Sequence, residues 1–162
     1  APMVHGDTVI VGSHQTGLQG ITITMDGNRL KAERVWKNIE AQPNITHGVR
    51  VGGHYYGIGD PAKLVCVDIA TGKTAWSDDS LFFPDAKRAM AAFIVMGQNI
   101  LALTSGGELC LFEASPNGFN ELGRTQACGI NWCMPAYVDG RLFVRDGIKK
   151  KGGNLICLDL AK

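Results

Sequence analysis

Short apolar runs alternate along the chain with glycine-rich turns, and helical periodicity is nearly absent. The best helical candidate is the segment 85–93, DAKRAMAAF, which is short. The chain contains 21 glycines, and glycines at short intervals suit tight turns between strands. This pattern predicts an all-β chain.

A turn glycine followed by a short β run recurs four times. These glycines are Gly6, Gly53, Gly97 and Gly140, and their spacings are 47, 44 and 43 residues. A period in the forties with several short strands in each unit is typical of a propeller blade. Four copies at similar spacings are unlikely to arise by chance.

A second motif, LVCVDIATGKTAW in Leu64–Trp76, follows the turn in the second unit. It reads as a third strand, a hairpin turn in which Gly72 supplies a positive φ, and a fourth strand that ends at Trp76. Looser copies occupy Ile21–Trp36, Glu108–Phe119 and Asn154–Lys162. The last copy stops without the turn and without a fourth strand.

The sequence therefore predicts one partial propeller domain over 1–162 with four-stranded antiparallel blades. We expect about four blades, the last lacking its outer strand, at 1–38, 45–80, 91–126 and 134–162. A propeller closes by pairing its first and last blades. We expect half of an eight-bladed ring, completed either by a second copy in a homodimer or by a missing N-terminal half.

The motif LxxLDxxTGKxxW, carried by Leu64, Asp68, Thr71–Lys73 and Trp76, resembles the repeat of quinoprotein-like (pyrroloquinoline-quinone-like) β-propellers. The stretch from 35 to 57 and the tail are similar to the C-terminal halves of bacterial envelope proteins of this family. The resemblance implies that Trp36 and Trp76 pack between neighbouring blades. It also implies a location in the periplasm or cell envelope.

Family members include quinone-dependent alcohol and sugar dehydrogenases, and also a binding scaffold of the outer-membrane barrel assembly machinery. The resemblance is specific for the fold and unspecific for function. We favour a non-catalytic binding or scaffold module that needs no cofactor. The alternative is part of a dehydrogenase that uses pyrroloquinoline quinone with calcium.

The net charge and the hydropathy of the chain limit the kinds of partner that it is expected to bind. The formal net charge is +1, without the basic excess that nucleic acid or an anionic membrane surface requires. The apolar runs are far shorter than the roughly 18 residues of a membrane span. No signal peptide is visible, so the protein is cytoplasmic, has lost its leader, or is part of a longer chain. Lys149–Lys151 reads as a solvated hairpin tip.

Two residues are candidate ligand or partner contacts. Trp132 lies in the loop GINWCMP before the fourth unit, where packing between blades does not explain it. It could stack a quinone or a sugar ring, anchor a peptide, or cap the inner core. His47 precedes the first strand of the second unit and could point into the central channel, or be a routine polar residue there.

The cysteines and histidines give no catalytic or metal motif. Cys66, Cys110 and Cys157 lie in third strands and read as small core thiols. Cys128 and Cys133 could form a disulfide across a loop or be two core residues, and no two cysteines are adjacent as in quinoprotein dehydrogenases. The histidines lack metal-ligand spacing, and His5 and His54 read as solvated residues at turns. No carboxylate and amide cluster for calcium stands out.

Overall fold

The computed structural model describes residues 1–43, 47–82, 90–147 and 152–161. In these ranges every regular element is a strand, so the all-β prediction is confirmed. The segment 85–93, the best helical candidate in the sequence, is not helical in its described part, because residues 91–93 belong to a strand in which Ala91 and Phe93 pack against a neighbouring sheet. Residues 85–89 of that segment, and Lys149–Lys151, lie outside the described residues. No described helix is long and apolar enough to span a membrane.

The described strands form four antiparallel sheets in which the strands follow chain order, and we number these sheets blades 1 to 4. Blade 1 contains β1 (Met3–His5), β2 (Thr8–Ser13), β3 (Gly17–Asp26) and β4 (Arg29–Asn38). Blade 2 contains β5 (Val49–Val51), β6 (His54–Gly59), β7 (Lys63–Asp68) and β8 (Thr74–Asp78). Blade 3 contains β9 (Ala91–Met96), β10 (Asn99–Thr104), β11 (Glu108–Glu113) and β12 (Glu121–Gln126). Blade 4 contains β13 (Ala136–Val138), β14 (Arg141–Arg145) and β15 (Leu155–Asp159).

Blade 4 has three strands among the described residues, as predicted for the last repeat. Two-residue turns join the first and second strands of every blade. In blade 2 the predicted turn glycine, Gly53, lies in this turn, and the glycine with positive φ is its neighbour Gly52, with φ of 56°. Gly52 occupies the first turn position, as Gly6 and Gly97 do, and Asp139 with φ of 49° takes that position in blade 4.

The core consists of three apolar layers, each between consecutive blades. Blades 1 and 2 meet through side chains such as Ile10 and Val67. Blades 2 and 3 meet through a larger layer that includes Leu64 and Phe112, and blades 3 and 4 meet through leucines such as Leu142. Each inner blade is therefore covered on both faces, whereas blades 1 and 4 each have one face that no described sheet covers.

Candidate functional site

The loop that links β12 to β13 carries Trp132 and is held firmly at its centre by Asn131. The Asn131 side chain is only 3% exposed. Its amide nitrogen Nδ2 donates to the Thr104 carbonyl oxygen at 3.0 Å, and its backbone N–H donates to the Ser105 carbonyl oxygen at 3.1 Å. The Gly147 N–H donates to the Ile130 carbonyl oxygen at 2.8 Å. These bonds tie the loop to blade 3 on one side and to the end of β14 on the other.

Large apolar side chains on this loop project into solvent at alternate positions. Ile130 is 58% exposed, Trp132 is 59% exposed and Met134 is 48% exposed. Asn131 between them is buried, so the loop has one polar, anchored side and one apolar, open side. We call Ile130, Trp132 and Met134 the apolar loop face. A cluster of exposed large apolar side chains on a soluble domain is typical of an interaction site.

Trp132 also forms one wall of a shallow cleft between the loop and blade 3. The opposite wall consists of Met90, Ala91 and Leu103, with Ser105 at the rim. The cleft is mostly apolar and partly open to solvent. It is suited to one apolar side chain at the surface, because enclosed ligand sites bury most of the ligand.

The two cysteines of the loop are free thiols, so the structure contains no disulfide between them. Cys128 is buried, and burial raises the pKa of its thiol. Its sulfur accepts a hydrogen bond from Asn131 Nδ2 at 3.6 Å. Cys133 is partly exposed, and Arg145 Nη1 lies 3.8 Å from its sulfur. One thiol thus belongs to the core and the other lies at the cleft.

His47, the other predicted contact, is exposed just before β5. The structure does not place it with the apolar loop face, so its role stays a prediction. His54 was predicted to be solvated in a turn, and this is wrong because it is the first residue of β6 and partly buried. Its Nε2 lies 3.9 Å from Asp68 Oδ2. Hydrogen bonds from Thr71 lower the pKa of Asp68, and this carboxylate orders the β7–β8 turn.

Trp36 and Trp76 each connect the outer strand of one blade to the next blade. Trp36 Nε1 donates to the Ile69 carbonyl oxygen at 2.8 Å, and Trp76 Nε1 donates to the Ser115 carbonyl oxygen at 2.8 Å. The Trp76 ring also packs near Phe119, with 6.4 Å between ring centroids. Both indoles are therefore engaged in blade packing, and Trp132 differs from them in its exposure.

The cysteines of the third strands divide into two kinds. Cys66 and Cys110 are fully buried between blades 2 and 3, and burial raises the pKa of each thiol to about 11. Cys157 was predicted to be a core thiol, and this is wrong because its side chain is exposed. It lies on the face of blade 4 that no described sheet covers.

The described residues contain no group of three or more His, Cys, Asp or Glu side chains that could hold a metal ion. Calcium needs six to eight oxygen ligands, several of them carboxylates.

Sequence reasoning identified Trp132 and missed three residues that define the site. Ile130 and Met134 look unremarkable by themselves, and Asn131 looks like an ordinary loop residue. The available signal was the alternation of apolar and polar residues across 130–134 in a segment assigned to a loop. Such alternation normally predicts a strand with one buried face. Here the polar residue is buried and the apolar residues are exposed.

Known proteins that are similar to this chain support a β-propeller fold. A family model described as outer membrane protein assembly factor BamB matches residues 1–78. The structure is similar to BamB from Moraxella catarrhalis, with 15% identity, a TM-score of 0.56, and coverage of 88% of this chain and 38% of that one. It is similar to apo AztD from Citrobacter koseri, with 18% identity, a TM-score of 0.60, and coverage of 98% and 43%.

A europium-containing methanol dehydrogenase is also similar, with 16% identity, a TM-score of 0.53, and coverage of 79% of this chain and 24% of that one. No curated protein matches the sequence. The chain spans about two fifths of the length of BamB and AztD. At these identities the solved structures show the fold alone. The family match over the first 78 residues and the blade architecture support a relationship to the β-propellers of the pyrroloquinoline-quinone-like family.

Proposed function

We propose that this chain is part of a non-catalytic propeller scaffold that binds a protein partner through the apolar loop face. The observation that carries the proposal is the exposure of three large apolar side chains on a backbone that buried Asn131 holds in place. Interfaces concentrate their binding energy in a few aromatic and large apolar anchors. A loop that is already ordered loses little conformational entropy when it binds.

The chemistry of the loop favours an apolar protein surface or peptide over a carbohydrate. A sugar that stacks on an indole also needs polar side chains beside the ring to hold its hydroxyl groups. The neighbouring Asn131 amide already donates to the Thr104 carbonyl and to the Cys128 sulfur. The side chains that remain open beside Trp132 are therefore mostly apolar.

The comparisons support a protein partner in the cell envelope. The family model that matches residues 1–78 is described as an assembly factor for outer membrane proteins. We carry over from this description only the class of partner, a protein, and the compartment, the periplasm or envelope. We therefore propose a polypeptide as the ligand of the scaffold.

We also propose that the four blades form part of a larger ring. The uncovered face of blade 1 includes exposed Val4, and that of blade 4 includes exposed Val138 and Leu155. Either a missing N-terminal half or a second copy in a homodimer would cover both faces. Light scattering on the 17.4 kDa chain separates these cases, since a stable dimer has twice that mass.

The alternative function is part of a dehydrogenase that uses pyrroloquinoline quinone with calcium. Its support is a likeness in fold to methanol dehydrogenase, which carries no information about the site. We expect no cofactor. Titration with pyrroloquinoline quinone and calcium, followed by tryptophan fluorescence, tests this. Saturable quenching at micromolar quinone would overturn the non-catalytic proposal.

Photocrosslinking tests the loop directly. A photoreactive amino acid replaces Met134 in one variant and Leu122, an equally exposed residue of β12, in a control variant. We expect one discrete protein adduct from envelope extract of the source organism at position 134 and none at 122. Adding Trp132→Ala to the first variant should abolish that adduct. The same adducts at both positions, or an adduct that survives Trp132→Ala, would contradict the proposal.

A further inference from the structure

An exposed cation, Arg145 at the end of β14, lies beside the apolar loop face. Its guanidinium Nη1 is 3.8 Å from the Cys133 sulfur. Cys133 follows Trp132 in the chain and contributes to the wall of the same shallow cleft. The Arg145 side chain is itself exposed to solvent. A positive charge that a partner can reach therefore lies one side chain away from the apolar cleft.

The carboxylate next to Arg145 in the chain, that of Asp146, is occupied by other donors. Its Oδ1 accepts the backbone N–H of Asn154 at 2.7 Å, and its Oδ2 lies 3.4 Å from Asn154 Nδ2. Hydrogen bonds from Asn154 lower the pKa of Asp146, and the charge of Arg145 adds a smaller electrostatic contribution. Within the described ranges Arg145 forms no ion pair with this or any other carboxylate. Its guanidinium is therefore open to a carboxylate that a partner supplies.

Other arginines of the blades donate to oxygen atoms within the chain. Arg50 donates to the Gly52 carbonyl oxygen at 2.9 Å, and Arg124 donates to the Glu121 carboxylate at 2.8 Å. The hydrogen bond of Arg145 that the described residues show goes to a thiol sulfur, which is a weak acceptor. Tryptophan and arginine are enriched among the residues that dominate protein interfaces. The pairing of an open guanidinium with an exposed indole is therefore suited to recognition.

The cleft itself provides little for a polar group to bind. The wall opposite Trp132 includes Ala91 and Leu103, whose side chains are each only 2% exposed. Side chains that are packed into a blade do not move aside easily, so the cleft stays shallow. It accepts one apolar side chain of a bound segment, and the polar contact that fixes the rest of the segment must come from beside the cleft. Arg145 is the charged side chain that the structure places there.

We propose that the polypeptide segment bound by the apolar loop face carries a carboxylate beside its apolar anchor, and that Arg145 selects this carboxylate. The anchor lies in the cleft against Trp132, and an Asp or Glu side chain pairs with the Arg145 guanidinium. An extended segment advances about 3.3 Å per residue, so the acidic residue lies about one to three positions from the anchor. This inference rests on the proposed function and adds to it the chemistry of the partner.

Peptide selection tests the proposal without a known partner. A library of random peptides displayed on phage is selected on the immobilised 162-residue chain. We expect the selected peptides to share a large apolar residue with Asp or Glu within about three positions of it. Arg145→Glu should replace this acidic preference by Lys or Arg. Arg29→Glu makes the same change of net charge at an exposed residue of blade 1 and should keep the acidic preference.

Fluorescence anisotropy of one selected peptide measures the contribution of Arg145 directly. An ion pair at the rim of an interface contributes modestly to affinity, so Arg145→Gln should weaken binding about twofold to fivefold at low salt. The difference between the parent and Arg145→Gln should shrink at high salt, because salt screens exposed charges. Equal affinities at low salt, or a difference that does not change with salt, would overturn the role of Arg145.

Selection on Trp132→Ala separates this inference from the proposed function. Apolar anchors that the parent selects and Trp132→Ala does not select would support binding at the loop face. In that case, the absence of an acidic preference, or the same preference with Arg145→Glu, would overturn the inference about Arg145 alone. If the parent and Trp132→Ala select the same peptides, or the parent selects none, the proposed function fails and this inference fails with it.

Discussion

Trp76 should contribute several kilocalories per mole to folding, because it joins blades 2 and 3 by both apolar contact and a hydrogen bond. Its ring packs near Tyr56 and Phe119, with centroid separations of 6.2 and 6.4 Å, and its Nε1 donates to the Ser115 carbonyl. Trp76→Ala removes all of these interactions. We expect the free energy of unfolding to fall, whereas partner binding by the apolar loop face should be preserved.

The magnitude follows from the buried area. A partly buried tryptophan removes about 150 Å² from water, which at about 25 cal/mol per Å² amounts to about 4 kcal/mol. Residual compactness of the unfolded chain reduces this to about 3 kcal/mol, and the lost hydrogen bond adds about 1 kcal/mol. We therefore expect Trp76→Ala to cost about 4 kcal/mol, which agrees with the range of about 3–5 kcal/mol for truncating a packed aromatic residue.

Guanidinium unfolding at 25 °C, followed by far-ultraviolet circular dichroism, measures this loss without depending on the tryptophan signal. Trp76→Phe keeps most of the ring contact and loses the hydrogen bond, so it should cost about 1–2 kcal/mol. Trp132→Ala is the matched control, since its side chain is exposed and its removal should cost less than about 0.5 kcal/mol. A loss below about 1 kcal/mol for Trp76→Ala, or equal losses for Trp76→Ala and Trp132→Ala, would refute the reasoning.

Three further predictions follow from single residues. Gly72→Ala should lower the free energy of unfolding, measured with denaturant, by about 2 kcal/mol or more. Gly72 has φ of 71°, and a Cβ there would lie 2.5 Å from the Trp36 indole ring. Gly27→Ala is the control: Gly27 has φ of 59° but open space around it, so the loss should be only about 1 kcal/mol. Cys157 should react with a maleimide in the folded protein before the buried thiols of blades 2 and 3, as peptide mass spectrometry would show; equal rates would contradict the assigned burial. Hydrogen bonding to Arg124 lowers the pKa of Glu121, so its contribution to stability is complete at neutral pH and disappears as the pH falls through the lowered folded pKa. Glu121→Gln should therefore be less stable than the parent at pH 7 and approach it in acid, and a stability difference that grows in acid would contradict this sign.

The repeat was readable from the sequence because strand order within a blade is local. Each third strand, turn and fourth strand are consecutive in the chain, so a glycine such as Gly72 and the apolar runs beside it mark their positions without long-range information. In blade 2 the turn consists of two adjacent glycines, Gly52 and Gly53, which have the same local sequence signal. Only the register of the strands shows which of them has the positive φ.

Features that depend on a neighbouring blade could not be predicted in this way. Cys66 and Cys157 have similar local sequences, and their opposite exposures depend on whether a fourth strand and a further blade cover them. Residues 91–93 follow a helix-like composition, but they pair with β10, and the side chains of Ala91 and Phe93 pack against blade 2. Tertiary packing overrode local propensity in this segment.

The distribution of tryptophans connects the architecture to the proposed function. In the outer strand of blade 3, Gly123 pairs with Leu111 at the position where Trp36 and Trp76 pair with the third strands of blades 1 and 2, so no indole joins blade 3 to blade 4 there. Leucines such as Leu103 and Leu142, together with the hydrogen bonds of Asn131, hold this interface instead. The third tryptophan, Trp132, lies in the loop that leaves this interface, and it makes no described hydrogen bond. Because leucine packing and Asn131 secure the blades, Ile130, Trp132 and Met134 can face solvent at little cost to folding and remain open to a partner.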